Sequence, residues 1–322
     1  VPPRTTVGFL GPQGTFTEEA LLTRLNLPEA EPVALSTIEE VLAATGRGEV
    51  DLGFVPIENA IEGTVNATLD LLVFETDLLI QAEAVLEVHL HLMARPGVGL
   101  EDVRQVASFP HASAQCRRFL AERLPGVPVR ATNSTAEAAA LVGTGELGEG
   151  AAAIAPRLAA KLYGLDVLAE SVEDHEQNAT RFLLVARDGI PEPTGHDRTS
   201  IVCFQDFDRP GSLHGLLGQF AARDINLSKL ESRPTKRALG DYCFVIDLEG
   251  HVADEVVADC LRDLHAQSRR VKFLGSYPVA DDRSASLREE RSAAWRAADE
   301  WIAGLRAKVG AGRLVRQEAG ER

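Results

Sequence analysis

Short apolar runs alternate with amphipathic stretches through the first half of the chain: TVGFLG, FTEEALLTRL, PVALS, TIEEVLAATGRG and DLGFVPI. Brief β-branched runs predict strands, and apolar positions spaced at helical intervals predict helices, so the rhythm is βαβαβ and implies a parallel sheet. Thr15 with Glu18, and Ser36 with Glu39, have the spacing of capping boxes and mark two helix starts.

From Leu78 to Val167 a second set has the same character: LLIQAEAVLEVHLHLMA, SAQCRRFLAERL, VPVRATN, AEAAALVGT, AAAIAP and LAAKLYGL. It predicts a second α/β lobe. The strand VLAES and the polar piece VEDHEQN lead into TRFLLVAR, whose apolar run is expected to return to the first lobe. Two lobes joined by crossing segments leave a cleft where strand ends converge.

The stretch DGIPEPTGHDR, rich in Pro, Gly and charge, then marks a domain boundary. Beyond it TSIVCFQ, SLHGLLGQFAARD, NLSKLESRP, YCFVIDLEG, ADEVVADCLRDLHAQ and VKFLGSYP give the order βαββαβ, that of a ferredoxin-like sandwich. The expected division is a domain over 1–190, with lobe one at about 1–77 plus 175–190 and lobe two at about 78–174. A linker over 191–198, a second domain over 199–279 and a helical tail over 280–322 complete the chain. Trp295, Ala298, Ile302 and Leu305 share one face of the tail, and no internal repeat is expected within either domain.

A chain of 322 residues has material for two such domains. Its net charge of -15 argues against nucleic acid or an anionic membrane as a partner, so an anionic ligand has to be held by local positive groups. The four cysteines show no CxxC pair, the first residues lack the plan of a secretory signal, and no apolar run reaches the roughly 20 residues that span a bilayer, so the cytoplasm is the expected compartment.

Three segments carry candidate chemistry. GFLGPQGTF sets three glycines and a proline between a strand and a capped helix, where backbone amides approach an anion or simply form a tight turn. It has neither Walker nor GxGxxG spacing. FVPIENAIEGTVNATLDLL puts Glu58 and Asn59 at the carboxyl end of a strand, as ligand contacts or as loop residues. In QNATRFLLV, Thr180 offers a hydroxyl donor and Arg181 a planar fork suited to a carboxylate, the plain alternative being a strand residue and a surface charge. His89 and His91 share a strand face without a recognisable third ligand, and Asp174, His175 and Glu176 are consecutive, which keeps them from facing one point on a regular element.

Taken together, GPQGTF, VPIEN…EGTV…LD, AQC, STAEAA, AAIAP…YGL, N-x-TRF, GSL and ESRP resemble the monofunctional prephenate dehydratase family, over nearly the whole chain to about Pro278. The resemblance implies an α/β fold in which a two-lobed, periplasmic-binding-protein-like catalytic domain precedes a ferredoxin-like βαββαβ ACT domain. It implies a lyase that converts prephenate to phenylpyruvate with loss of carbon dioxide and water, on the route to phenylalanine, with no metal or organic cofactor. It places Thr180 as hydrogen-bond donor to the departing hydroxyl, with a relay from Glu58 or water as a hypothesis. Arg181 and the amides around Gln13, Gly14 and Thr15 are expected on the substrate carboxylates, with Asn59, Asn178 and Phe182 as further contacts. It also implies phenylalanine as allosteric effector, bound between paired ACT domains by Gly211, Ser212 and Leu213 and by Glu231, Ser232, Arg233 and Pro234, in a homodimer or homotetramer. The chain departs from the family pattern at Ala60, where a serine is usual, and at Phe109 and His111, where His and Gln are common. Arogenate dehydratase and a non-catalytic small-molecule sensor are the competing readings.

Overall fold

The computed structural model describes residues 5–25, 27, 29–175, 177–205, 210–236, 241–280 and 300–309. It divides into a unit over 1–280 and a unit over 281–322. In the second unit 300–306 is helical, which agrees with the helical pattern at Ile302 and Leu305, while Trp295 and Ala298 lie outside the described residues.

The first unit opens with β1 (Thr6–Leu10), α1 (Phe16–Arg24), β2 (Glu31–Leu35), α2 (Ile38–Arg47) and β3 (Leu52–Asn59). A short β4 (Gly63–Thr64) and α3 (Asn66–Asp70), which runs into a π-helical turn at Leu71–Glu75, lead to β5 (Leu79–Glu87). Next come β6 (His91–Ala94), β7 (Gln105–Ser108), α4 (Pro110–Ala114), α5 (Arg117–Arg123), β8 (Val129–Ala131) and α6 (Thr135–Thr144). After β9 (Ala151–Ala155), α7 (Arg157–Tyr163) and β10 (Asp166–Ala169), the chain returns as β11 (Ala179–Ala186).

The first sheet has the order β2-β1-β3-β11-β5, with β4 paired to β3, so TRFLLVAR does return to lobe one. The second sheet has the order β8-β7-β9-β6-β10. In each, a central strand runs parallel to two neighbours, and two antiparallel strands follow at one side. The lobes are thus a structural duplication that the sequence conceals, because strand order follows connectivity and the two sheets use different side chains: Val7, Phe9 and Phe54 in one, Ala151, Ala152 and Ala153 in the other. One local trace survives. Thr37 and Ser134 accept from the backbone amides of Glu40 and Glu137, whose carboxylates accept from the amides of Ser36 and Asn133. The box of α2 therefore starts at Thr37, one residue later than Ser36.

Strand β5 also departs from expectation. It was placed at the start of lobe two, but it pairs with β11 at the edge of the first sheet. The crossing points are therefore Val88 to Leu90 and the described residues between β10 and β11. There Val88 donates to Asn178 O at 2.7 Å and Val172 to Leu90 O at 2.8 Å. The buried Glu173 accepts from Leu90 N at 2.9 Å and lies 3.0 Å from His89 Nδ1, pinning the crossing strands together.

The remaining elements are β12 (Asp197–Phe204), α8 (Ser212–Ala221), β13 (Leu227–Pro234), β14 (Tyr242–Glu249), α9 (Glu255–Gln267) and β15 (Arg270–Pro278), the expected βαββαβ order. Their antiparallel sheet reads β13-β14-β12-β15. One face packs Ile201, Cys203, Phe244 and Ile246 beneath Leu216, Phe220, Cys260 and Leu264 of the helices. The other face packs Val202, Val245, Leu274 and Tyr277 against Leu72, Ile80, Leu183 and Val185 of lobe one. Gly275 makes this approach possible: it has φ +150°, and a Cβ there would sit 2.6 Å from Ile80 O.

Candidate active site

A cleft of about 730 Å³ opens between the two lobes. Lobe one contributes Leu10, Thr15, Ser36, Asn59 and Thr180, and lobe two contributes His111, Gln115, Ser134 and Glu137. Thr180 and Asn59 are cross-strand neighbours at the ends of β11 and β3. The loop after β3 then fixes the Asn59 amide: its Oδ1 accepts from Ile61 N and Glu62 N, both at 3.0 Å. Its Nδ2 is thereby directed at Thr180 Oγ1 and Asn178 Oδ1, each at 2.9 Å. Asn178, buried where the chain re-enters lobe one, donates onward to Gln115 Oε1 of lobe two at 3.0 Å. The Thr180 oxygen accepts from Asn59, and a hydroxyl that accepts keeps its own O–H for donation to another acceptor.

The alternation of a β-strand decides which expected residues share this site. Asn178 and Thr180 face the cleft, and Phe182 lies beneath them, buried in the core and stacked on Phe54 with centroids 5.3 Å apart, so it is a packing residue and not a substrate contact. Arg181 leaves the opposite face of β11. Its Nη2 is 2.9 Å from Asp247 and 3.3 Å from Tyr277 Oη, and its Nε lies 3.0 Å from Glu83, out of line for a hydrogen bond. Arg198 also pairs with Glu83, and Ser200 donates to Asp247 at 2.6 Å. Burial opposes the Arg181 charge, but Tyr277, Asp247 and Glu83 outweigh it and hold the guanidinium protonated. Burial likewise opposes the Asp247 charge, and Arg181 and Ser200 more than compensate, so its carboxyl stays below the usual range. The Arg181 expectation is thus corrected: its carboxylate partners belong to the protein. Glu58, next to Asn59, also faces away, 3.4 Å from Lys229 Nζ and 3.6 Å from Arg181, so it has no path to relay a proton to Thr180.

Of the contacts expected from the glycine-rich turn, Thr15 lines the cleft, where it caps α1, together with the neighbouring Gly11 and Pro12, whereas Gln13 and Gly14 do not. Gly14, at φ +85°, spends its amide on Glu18 at 2.5 Å, and the backbone oxygen of the exposed Gln13 accepts from Tyr163 of lobe two at 3.0 Å. No lysine or arginine lines the cleft among the described residues, and His111 is the only base there, 3.4 Å from Glu62 across the gap. Gln115 sits in the AQC motif, which gave no hint of its partner because Asn178 is distant in sequence. His91 accepts from Ser171 N, His89 pairs with Glu173, and Asp174 accepts from Arg118 N, so these serve the crossing region, while Glu176 lies outside the described residues. No cluster of three or more metal-ligating side chains occurs among the described residues.

In the C-terminal domain Gly211, at φ +85°, precedes α8, Ser212 donates to Gln205 at 3.2 Å and Leu213, in the first turn of α8, packs against the core. Strand β13 alternates as well. Leu230, Ser232 and Pro234 are exposed, whereas Glu231 accepts from Thr64 at 2.8 Å and Arg233 pairs with Asn66 at 2.5 Å and with Asp70. The Glu231 and Arg233 side chains thus engage lobe one.

Two family models match the chain: prephenate dehydratase over residues 7–190 and the ACT domain over 199–266. The prephenate dehydratase of Amycolatopsis methanolica is 44% identical over 302 residues, covering 93% of this chain and 97% of the relative. The crystal structure of prephenate dehydratase from Arthrobacter aurescens in complex with L-Phe superposes with a TM-score of 0.79 at 41% identity, covering 94% of this chain and 99% of that one. A structure described as GqqA, a novel type of quorum quenching acylase, aligns at TM-score 0.76 and 30% identity over 85% of this chain and 98% of its own. That name describes another activity, so the fold alone does not carry the chemistry. The matched domains in their order, with relatives aligned almost end to end, establish that the chain belongs to the prephenate dehydratase family.

Proposed function

We infer that this chain is a lyase that converts prephenate to phenylpyruvate and that Thr180 protonates the departing hydroxyl. The carrying observation is the fixed Asn59 amide, which donates to Thr180 Oγ1 at 2.9 Å and leaves the threonine proton for the substrate. As the carboxylate leaves as carbon dioxide, its electron pair enters the ring and the C–O bond on the far side of the ring breaks. The oxygen leaves as water once it gains a proton. A threonine hydroxyl is a weak acid, so charge building on Oγ1 requires stabilisation while the proton moves. The Asn59 N–H, backed by two backbone donors on its carbonyl, supplies a fixed dipole there.

The first amides of α1 and α6 border the cleft and favour anions, which suits a substrate with two carboxylates. Regulation is assigned to phenylalanine at the surface formed by Gly211, Ser212, Ser232 and Pro234, completed by a second chain in a dimer or tetramer. The four cysteines are buried free thiols, which fits a reducing compartment such as the cytoplasm. The decisive measurement is absorbance of phenylpyruvate formed from prephenate by the native chain and by Thr180→Ala, each with and without phenylalanine. Product from the native chain alone, at a rate altered by phenylalanine, supports the reading. A faster reaction with arogenate would replace the substrate, and no turnover of either would sink the enzymatic reading.

A further inference from the structure

We propose that His111 is the cationic ligand for the retained, pyruvyl carboxylate of the substrate, an inference that rests on the dehydratase reading. The cleft has to accept a dianion in a chain of net charge -15, yet Arg181 is committed elsewhere and no lysine or arginine lines the cleft among the described residues. Among the lining side chains only His111 can carry a positive charge.

Its position suits the role. His111 and Gln115 lie four residues apart on the α4 turn and so share a face, and Gln115 accepts from Asn178, which connects through Asn59 to Thr180. The imidazole stacks on Phe109, with centroids 5.3 Å apart, which limits its orientations. It lies 3.4 Å from the Glu62 carboxylate of lobe one. A substrate carboxylate entering between the lobes would take the place of Glu62, so the imidazolium changes one anionic partner for another. The other acidic group lining the cleft, Glu137, is held by Asn133 N at 2.6 Å and Asn133 Nδ2 at 3.2 Å and does not compete for it.

Chemistry decides between the two substrate carboxylates. A cation on the one that leaves as carbon dioxide would stabilise the ground state more than the transition state, in which its charge drains into the ring. A cation on the retained carboxylate stabilises both states equally and lowers KM without slowing the chemical step. His111 thus belongs on the pyruvyl end, with Thr180 at the ring hydroxyl.

The test compares native chain, His111→Ala and His111→Lys in prephenate turnover. The expected result is a KM about fivefold higher in His111→Ala, with a smaller change in kcat. The KM of His111→Lys should stay close to the native value, because lysine restores a cation at this position. Calorimetric titration of prephenate into Thr180→Ala, with and without His111→Ala, reads binding independently of turnover. Turnover by the native chain with the same KM in His111→Ala overturns the inference and leaves the dehydratase reading standing. If the native chain gives no turnover, the titration decides: weaker binding without His111 supports the carboxylate contact, and equal binding or none overturns it.

Discussion

Thr180 and Arg181 are adjacent in the chain, yet Thr180 takes a hydrogen bond from Asn59 at 2.9 Å in the cleft while Arg181 reaches 2.9 Å to Asp247 of the C-terminal sheet on the other side of β11. One strand therefore carries the threonine proposed for the chemistry on one face and the anchor between domains on the other.

Replacing Thr180 by Val keeps the shape and removes the proton. Steady-state kinetics should show kcat lower by about 10² to 10³ with KM little changed, the loss typical of one preorganised donor, while Thr180→Ser retains most activity. Equal kcat in Val and native chains would exclude the hydroxyl from the chemistry.

The Arg181 cluster should govern stability. Arg181→Met leaves Asp247 and Glu83 buried without their cation and is expected to cost about 3–5 kcal/mol in urea unfolding. A loss below about 1 kcal/mol would show that the cluster is well solvated.

The same cluster gives a pH signature with a definite sign. The Asp247 carboxyl is held below its ordinary value by Arg181 and Ser200 despite burial. Its contribution is fully present above the unfolded-state value and is lost as pH falls through the lower folded-state value. Native chain and Asp247→Asn should differ most in stability near neutrality, and the gap should narrow on acidification below about pH 4. A gap independent of pH would refute the assignment.

Strand β13 offers a separable coupling element, because Ser232 and Pro234 are exposed while Glu231 accepts from Thr64 in the hairpin that follows Asn59. Glu231→Gln should leave calorimetric binding of phenylalanine nearly intact and reduce its effect on turnover. Loss of binding itself would place Glu231 in the effector site.

Gly275→Ala tests the seam between the domains. With φ +150° and Ile80 O only 2.6 Å from the added methyl, the substitution should lower Tm by several degrees, corresponding to about 1–3 kcal/mol.

Much of this architecture was legible in the chain. Periodicity gave the βαβαβ start, the return of TRFLLVAR, the break at DGIPEPTGHDR and the βαββαβ end, because each is recorded in local alternation and turn residues. The roles of Glu58 and Arg181 were not, since they depend on Lys229 and Asp247, which a separate domain brings to the back of the sheet. Strand alternation alone forbids Thr180 and Arg181 from sharing a cleft, and that constraint was outweighed by the fit of a guanidinium to a carboxylate. The duplicated lobes stayed hidden because Val- and Phe-rich strands in one occupy the places of Ala-rich strands in the other.

The double crossing between lobes also sets an order of assembly during synthesis. Lobe two, from β6 to β10, is a continuous inset, so all its strands are synthesised before β11 is made. Lobe one waits with a gap between β3 and β5 until β11 fills it. The residue assigned to the chemistry rides on that last strand, so the nascent chain has no working centre until the sheet has closed.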